Sequence, residues 1–391
     1  MTEKLFYEDS HMITFSAVVE ACEKVGDYYE AVLDRTAFFP EGGGQYADTG
    51  VIDGIQVLDV QEREGLIFHK MIGPLSTGET VEGTINWEER FSKMQQHSGE
   101  HIVSGIIHAL FGYDNVGFHM GQDAITMDFN GVITKEQLKE IEYRANQAVV
   151  ANLDVQVTYP SKEELENIYY RSKIDIEGQV RLVTVPGHDA CACCAPHVKK
   201  TGEIGLIKLL GLQNYKGGVR ISMLCGFRAL EDYNAKSDCT KSLSVMLSAP
   251  EQEIGAEVER QKEEIALCKT EIAKMEQQLL VCKANLISRG QDMVVLFESE
   301  LSGVGTRELV NLLLERETVV GAVFAGNDAD GYRYVIGSKT VDVRPIAKLL
   351  SNQFGARGGG KPEMVQGSLN ALETEIKEAM ETCKSELGLS F

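Results

Sequence analysis

QQHSGEHIVSG, Gln95–Gly105, and CACCAPHV, Cys191–Val198, are the two stretches around which the rest of the chain organises itself. His97 and His101 are four apart, so on a helix both imidazoles leave the same face one turn from each other. Phe91, Met94, Ile102, Ile106 and Leu110 recur at helical spacing and predict a helix from Trp87 to Phe111. Pro186, Gly187, Asp189 and Pro196 mark the second stretch as a loop, within which Cys193 and His197 offer a thiolate and a further nitrogen. Three imidazoles and one thiolate suit Zn²⁺, which takes His and Cys at about 2.0 to 2.3 Å. Cys191 or Cys194 could stand in for Cys193, and His188 could replace a ligand or hydrogen-bond to one. A site of this kind is either closed and structural or open and catalytic. It differs from the H-E-x-x-H metalloprotease pattern, in which an acid directly follows the first histidine. Glu100 lies i+3 from His97, so it either orients a water or substrate amine or is an ordinary exposed helix glutamate.

The 391 residues carry a formal charge of −21, with 43% hydrophobic and 25% charged residues, the composition of a globular chain long enough for two or three domains. No apolar run approaches the roughly 20 residues of a membrane span, and MTEKLFYEDS has no signal-peptide pattern. With nine cysteines, an odd number, the reading is a cytoplasmic protein without a membrane partner, whose thiols serve metal rather than disulfides. The acidic balance opposes polyanion binding over the whole surface but leaves room for local basic patches. Candidates are Lys199, Lys200 and Lys208, then Lys216 and Arg220 in NYKGGVR, and Arg357 with Lys361.

Working outward, the expected fold class is multidomain α+β. Residues 1–88 hold the β-prone runs ITFSAVVEA, YEAVLDRTAFF, VIDGIQVLDVQ, LIFHKMI and TVEGTINW, read as a small barrel. Residues 89–226 alternate helices with the strands AITMDF, VQVTYP, QVRLVTV, EIGLIKLLG and VRISMLCG, and contain every proposed ligand. Residues 227–289 are a helical, coiled-coil arm. There Val258, Ile265, Ile272, Leu279 and Leu286 fall seven apart, with Ile254, Cys268, Met275 and Cys282 on the complementary seam and Gln261 as the polar exception. This stripe predicts a homodimer through residues 254–286, with an intramolecular hairpin against residues 230–248 as the alternative. Residues 290–391 read as an α/β domain containing GARGGGKPEMVQG. Its G-x-x-x-x-G-K spacing is not a P-loop, because Pro362 stands where Ser or Thr should hold Mg²⁺. It reads instead as a flexible glycine loop whose Arg357 and Lys361 approach a phosphate backbone. Gly43-Gly44-Gln45 matches the release-factor tripeptide, too short a match between β runs to carry that activity.

Taken together, four ordered segments resemble the alanyl-tRNA editing proteins of the AlaX type, in the long form with a C-terminal DHH-associated domain. LDRTAFFPEGGGQYADTG resembles the N-terminal glycine-rich motif, HSGEH the HxxxH motif and CCAPHVKKTGEIG the CxxxH segment. GARGGGKPEMVQG is similar to the glycine-rich loop of the C-terminal domain. The resemblance implies that His97, His101, Cys193 and His197 hold zinc and that Gly42, Gly43 and Gly44 lie beside an editing pocket. It implies a trans-acting deacylase for tRNA(Ala) mischarged with serine or glycine, with tRNA contacts from Lys199, Lys216, Arg220, Arg357 and Lys361. Two departures stand out: Cys194-Ala195-Pro196 replaces the usual GGT, and Ser98 replaces a common Thr. Nothing in the sequence resembles an ATP-binding aminoacylation domain. No Ser-His-Asp set or carboxylate pair supplies a base, so catalysis rests on metal and positioning, with Ser98, Glu100 and Gln45 as candidate catalytic contacts to the seryl hydroxyl. The alternatives are editing of Ser-tRNA(Thr), or a noncatalytic zinc-stabilised RNA-binding protein.

Overall fold

The structure, a computed structural model, describes residues 1–121, 123–172 and 178–386. Residues 387–391, the end of the C-terminal domain assigned from sequence, lie outside the described residues. The chain is α+β and forms two compact units, Met1–Ser242 and Leu243–Phe391.

After a short strand at Glu3–Lys4 and a helical turn at Leu5–Glu8, the first unit has six antiparallel strands: β1 (Thr14–Val25), β2 (Tyr28–Leu33), β3 (Gly50–Ile52), β4 (Ile55–Arg63), β5 (Leu66–Met71) and β6 (Thr80–Ile85). They pair in the order β1-β2-β5-β4-β3-β6, and β6 returns to β1, so the ladder closes. Alternation along β1 and β5 sends Phe15, Ala17, Val19, Ile67 and Met71 inward, the period-2 pattern of a half-buried strand. The run VIDGIQVLDVQ is two strands rather than one. Asp53 and Gly54 both have positive φ, 47° and 75°, and reverse the chain between Ile52 and Ile55, as the Asp-Gly pair in a two-residue hairpin does.

Next comes helix α1 (Trp87–Phe111), which spans the range that its periodicity marks. The Asn86 side chain caps its start by accepting from the Glu89 N–H, and Gly112 ends it in the left-handed region. From Met94 to Ile106 most of its residues are buried, polar ones included, so α1 is a central helix rather than a surface one. Gly105 lets another segment come close: a Cβ there would stand 2.2 Å from the His188 carbonyl oxygen.

Around α1 lies an antiparallel sheet of β7 (Asn115–Met120), β8 (Ile125–Phe129), β12 (Ile207–Tyr215) and β13 (Gly218–Cys225), in the order β12-β13-β8-β7. Helix α2 (Lys135–Val150) carries a full capping box at Thr134 and Gln137. Its Ile141, Ala145 and Val149 share one core with Ile102 and Ile106 of α1 and Met127 and Ile221 of the sheet. Each such side chain contributes roughly 1.5 to 3 kcal/mol on burial. A second, smaller sheet runs β9 (Gln156–Thr158), β10 (Leu182–Val185), β11 (Asp189–Ala192). Asp189 to Ala192, read from sequence as loop, is therefore a strand, and only Cys193 onward is irregular. Between β9 and β10, Lys162–Leu165 form a single helical turn. Helix α3 (Gly226–Leu247) follows β13.

The second unit contains α4 (Ile254–Leu286), β14 (Met293–Glu298), α5 (Gly303–Glu315), β15 (Val320–Asn327), β16 (Gly331–Ser338), α6 (Arg344–Phe354), β17 (Arg357–Lys361), β18 (Met364–Leu369) and α7 (Glu373–Glu386). Its sheet order is β14-β15-β16-β18-β17, parallel only between β14 and β15. The expected flexible glycine loop is a correction here. Arg357–Lys361 is the edge strand β17, paired along its length with β18, because strand pairing uses backbone groups that glycines supply as well as any residue. On α4, Leu280 and Ala284 pack against Leu309, Val310 and Leu313. The heptad residues Val258, Ile265, Ile272, Leu279 and Leu286 lie off that face and are exposed.

Candidate metal centre

Four donors converge in the first unit. The ligand atoms of His97, His101, Cys193 and His197 all lie within 4.8 Å of one another. Cys193 Sγ stands 3.6 Å from His97 Nε2 and 3.4 Å from His197 Nε2. Zinc with tetrahedral bonds of about 2.0 to 2.3 Å holds its donors roughly 3.3 to 3.8 Å apart, so the spacing fits.

The rings are oriented from behind. His97 Nδ1 lies 3.1 Å from Gln45 Oε1, His101 Nδ1 3.1 Å from Asp189 Oδ2, and His197 Nδ1 3.0 Å from Ser98 Oγ. With Nδ1 of His97 and His197 hydrogen-bonded and that of His101 at ion-pair distance from a carboxylate, Nε2 is left toward the common centre, the arrangement by which outer partners fix a ligating imidazole. Burial raises the Cys193 thiol, but the neighbouring His97 and His197 outweigh it and hold it well below its usual range. Burial, with His101 nearby, pushes His197 down to about 3. A thiolate and a neutral imidazole are the forms that bind metal.

Each element contributes for a local reason. The i, i+4 pair rides on α1. Cys193 follows β11, and the ligand loop is gathered by Arg181, whose Nη1 donates to the carbonyls of Cys193 and Ala195 at 2.8 and 2.9 Å. Gln45 arrives through a tight turn in which Gly42 and Gln45 exchange backbone hydrogen bonds and Gly43 and Gly44 take φ of 60° and 81°. A Cβ on Gly44 would also meet Phe118 Cδ1 at 2.7 Å. The same turn abuts Cys194, whose Sγ is 3.0 Å from the Cβ position of Gly43.

Among the other residues singled out from sequence, Cys191 is buried in a second group that shares His101 with the first and adds Asp189, and burial raises its thiol. His188 sits in the turn between β10 and β11 and belongs to neither group. Glu100 is buried, not an exposed helix glutamate: its Oε1 accepts from Ser104 Oγ at 2.8 Å and Asn115 Nδ2 at 2.5 Å, while Oε2 lies 3.9 Å from His101 Nε2. Ser98 is buried on α1. Its Oγ is buried between His197 Nδ1 and the Val198 N–H, where it braces a ligand. Gln45 keeps one polar atom in reserve, because its buried Nε2 has no protein partner among the described residues.

The basic candidates divide. Lys199 pairs with Asp9, Lys200 with Asp154 and Lys208 with Glu142. Arg220 grips Asp128 with two bonds of 2.6 and 2.7 Å and lies over Tyr215, as does Lys216. Arg357 and Lys361 are exposed on β17. The sequence reading missed Asp189 as an outer partner, along with Arg171, Asn115 and Arg181. The one available signal was a carboxylate four residues before Cys193, which means little without the fold.

Three family profiles match in order. "tRNA synthetases class II (A)" covers residues 2–89, "Threonyl and Alanyl tRNA synthetase second additional domain" residues 180–222, and "DHHA1 domain" residues 290–388. The first falls on the barrel region, which holds the glycine-rich motif LDRTAFFPEGGGQYADTG. Alanyl-tRNA editing protein AlaX-L of Pyrococcus horikoshii is 28% identical over 99% of this chain and 100% of its own length. The alanine-tRNA ligase of Pyrococcus furiosus is 30% identical over 99% of this chain and 44% of its own, and that of Halobacterium salinarum 36% identical over 66% and 30%. The chain thus spans less than half of either ligase. Among solved structures, the C-Ala domain of Aquifex aeolicus alanyl-tRNA synthetase covers 26% of this chain and 95% of its own at 21% identity and a TM-score of 0.22. A helix-borne histidine pair joined to a Cys-x-x-x-His loop, behind a barrel and ahead of a DHHA1 domain, defines a class of tRNA-synthetase-related editing proteins. The chain belongs to the alanyl-tRNA editing family of the AlaX type, in its long form.

Proposed function

We propose that this protein acts in the cytoplasm as a trans-acting deacylase that hydrolyses the ester joining serine, and secondarily glycine, to tRNA(Ala). The observation that carries the reading is the set of four clustered donors, with His97 and His197 hydrogen-bonded through Nδ1 and His101 Nδ1 3.1 Å from Asp189. His97, His101, Cys193 and His197 would hold Zn²⁺, which supplies Lewis acidity and an anchor for an amine or a water. Glu100, fixed through Oε1, directs Oε2 at the ligand side of His101 and so receives a hydrogen bond from the attacking water or the substrate amine. Gln45 holds His97 with Oε1 and offers Nε2 to the seryl hydroxyl. A buried donor matched to that hydroxyl disfavours alanine, which leaves the donor unpaired. Residues 1–88 and 89–226 make the editing half. Gly42–Gly44 lie beside the editing pocket, and residues 290–391 bind tRNA, with Arg357 and Lys361 on the phosphate backbone. Lys199 and Arg220, already paired with Asp9 and Asp128, are weaker contacts.

The test is a set of hydrolysis time courses on seryl-, glycyl- and alanyl-tRNA(Ala) and seryl-tRNA(Thr), with and without chelator. Serine should leave tRNA(Ala) fastest, alanine slowest, and chelator should abolish the difference. Arg357→Ala with Lys361→Ala should raise KM with little change in kcat. Faster clearance of tRNA(Thr), or zinc retained without hydrolysis of any ester, would overturn the assignment.

We also propose that the protein is a homodimer through residues 254–286. The support is the exposed stripe Val258, Ile265, Ile272, Leu279 and Leu286 on α4, at the spacing of a coiled-coil seam. Light scattering at micromolar concentration should give twice the chain mass, falling to one chain for Ile265→Glu with Ile272→Glu. A monomeric parent protein would refute it.

A further inference from the structure

We propose that Arg171 is a positioning residue that sets how tightly the donor cluster holds its ion, an inference that rests on the metal reading above. Arg171 lies outside the ligand set and far from it in sequence, yet it touches both halves of the support. Its guanidinium forks onto Asp189, Nε to Oδ1 at 2.7 Å and Nη2 to Oδ2 at 2.8 Å. The same Oδ2 stands 3.1 Å from His101 Nδ1. Asp189 is thereby fixed in rotation, and with it the plane of the His101 ring on α1.

The backbone of Arg171 does the corresponding work for the other half. Its N–H donates to the Ala190 carbonyl at 2.8 Å, and its carbonyl accepts from the Ala192 N–H at 2.9 Å. This bridge pins β11 along its edge, and the residue after β11 is Cys193. Just upstream, Tyr169 stacks on His108 of α1 with its hydroxyl 2.5 Å from Nε2, so the segment is tethered to the helix that carries His97 and His101. A single residue therefore ties the thiolate's strand and an imidazole's carboxylate into one unit. Both partners are shielded, the Arg171 side chain at 10% exposure and that of Asp189 at 2%, so water does not substitute for a lost bond. Lysine neutralises a carboxylate as a point charge but cannot fork onto it, which separates charge balance from orientation.

Outer partners of ligating histidines typically contribute 10- to 100-fold in metal affinity. The experiment is zinc affinity of the full chain, by competition with a chromophoric chelator, for the parent, Arg171→Lys, Arg171→Met, Asp189→Asn and the Arg171→Met/Asp189→Asn double variant. Circular dichroism confirms the fold of each. Arg171→Met should lose about 10- to 100-fold and Arg171→Lys an intermediate amount. The double variant should bind no more weakly than Asp189→Asn alone, because Arg171 acts through Asp189. Parent-like affinity in Arg171→Lys overturns the proposal, and that variant decides the matter if Arg171→Met does not fold. Losses that multiply in the double variant also overturn it. A parent protein that binds zinc without hydrolysing any ester refutes the deacylase reading and leaves this one standing, whereas a parent that binds no zinc refutes both.

Discussion

Replacing His97 and Cys193 together by alanine should strip the chain of zinc and lower the proposed seryl-tRNA deacylation by at least about 100-fold, the upper end of what loss of an outer partner alone costs. The two residues come from different elements, α1 and the loop after β11, so the variant removes one donor from each half of the cluster. Two remaining imidazoles are too few for a tetrahedral site. Metal per chain after gel filtration and the deacylation rate should fall together. His188→Ala is the matched control: it removes a neighbouring imidazole that is outside the cluster and should leave both readings at the parent level. A double variant that still cleared seryl-tRNA at the parent rate would sink the metal-based mechanism.

Asp48→Ala should destabilise the protein by about 3 to 5 kcal/mol, the cost of leaving a buried charge unpaired. Arg90 on α1 and Asp48 beside the barrel are 0% and 1% exposed in their side chains. Arg90 Nε donates to both Asp48 oxygens at 2.8 Å, and Nη2 makes a closer contact to Oδ2. The guanidinium also reaches the carbonyls of Ala37 at 2.6 Å and Ser10 at 3.1 Å. Asp48 in turn accepts from the Phe39 N–H. Removing the carboxylate strands the guanidinium, and the melting temperature should drop on the order of 10 °C. An Asp48→Leu/Arg90→Met double variant should recover much of the loss, since apolar replacement of a whole buried pair is often neutral. If the single and double variants melt together, the pair does not couple the barrel to the helix.

How much of this is legible in the sequence depends on whether the cause is local. Trp87–Phe111 can be read from periodicity because Asn86 and Gly112 cap the same span that the apolar residues define. The ligand set is legible for the same reason, since both pairs have four-residue spacing. Asn115–Met120 is not recognisable as a strand, since its Gly117 and His119 interrupt the pattern and its pairing to β8 is tertiary. Missing that strand hides Asn115, and with it the reason that Glu100 is buried. The glycines of β17 signal a loop, while only the partner strand β18 shows otherwise. Asp189 and Arg171 meet the histidines through space, at separations that no periodicity encodes.

The brace on His97 has a further implication for how such proteins can be shortened. Gln45 is supplied by the turn ahead of β3, whereas every donor atom is supplied from residue 97 onward. A descendant that dispensed with its N-terminal portion would inherit a full complement of ligands but one imidazole free to swivel. Whatever lineage made that economy would have to recruit a replacement acceptor elsewhere, or accept a looser grip on the ion.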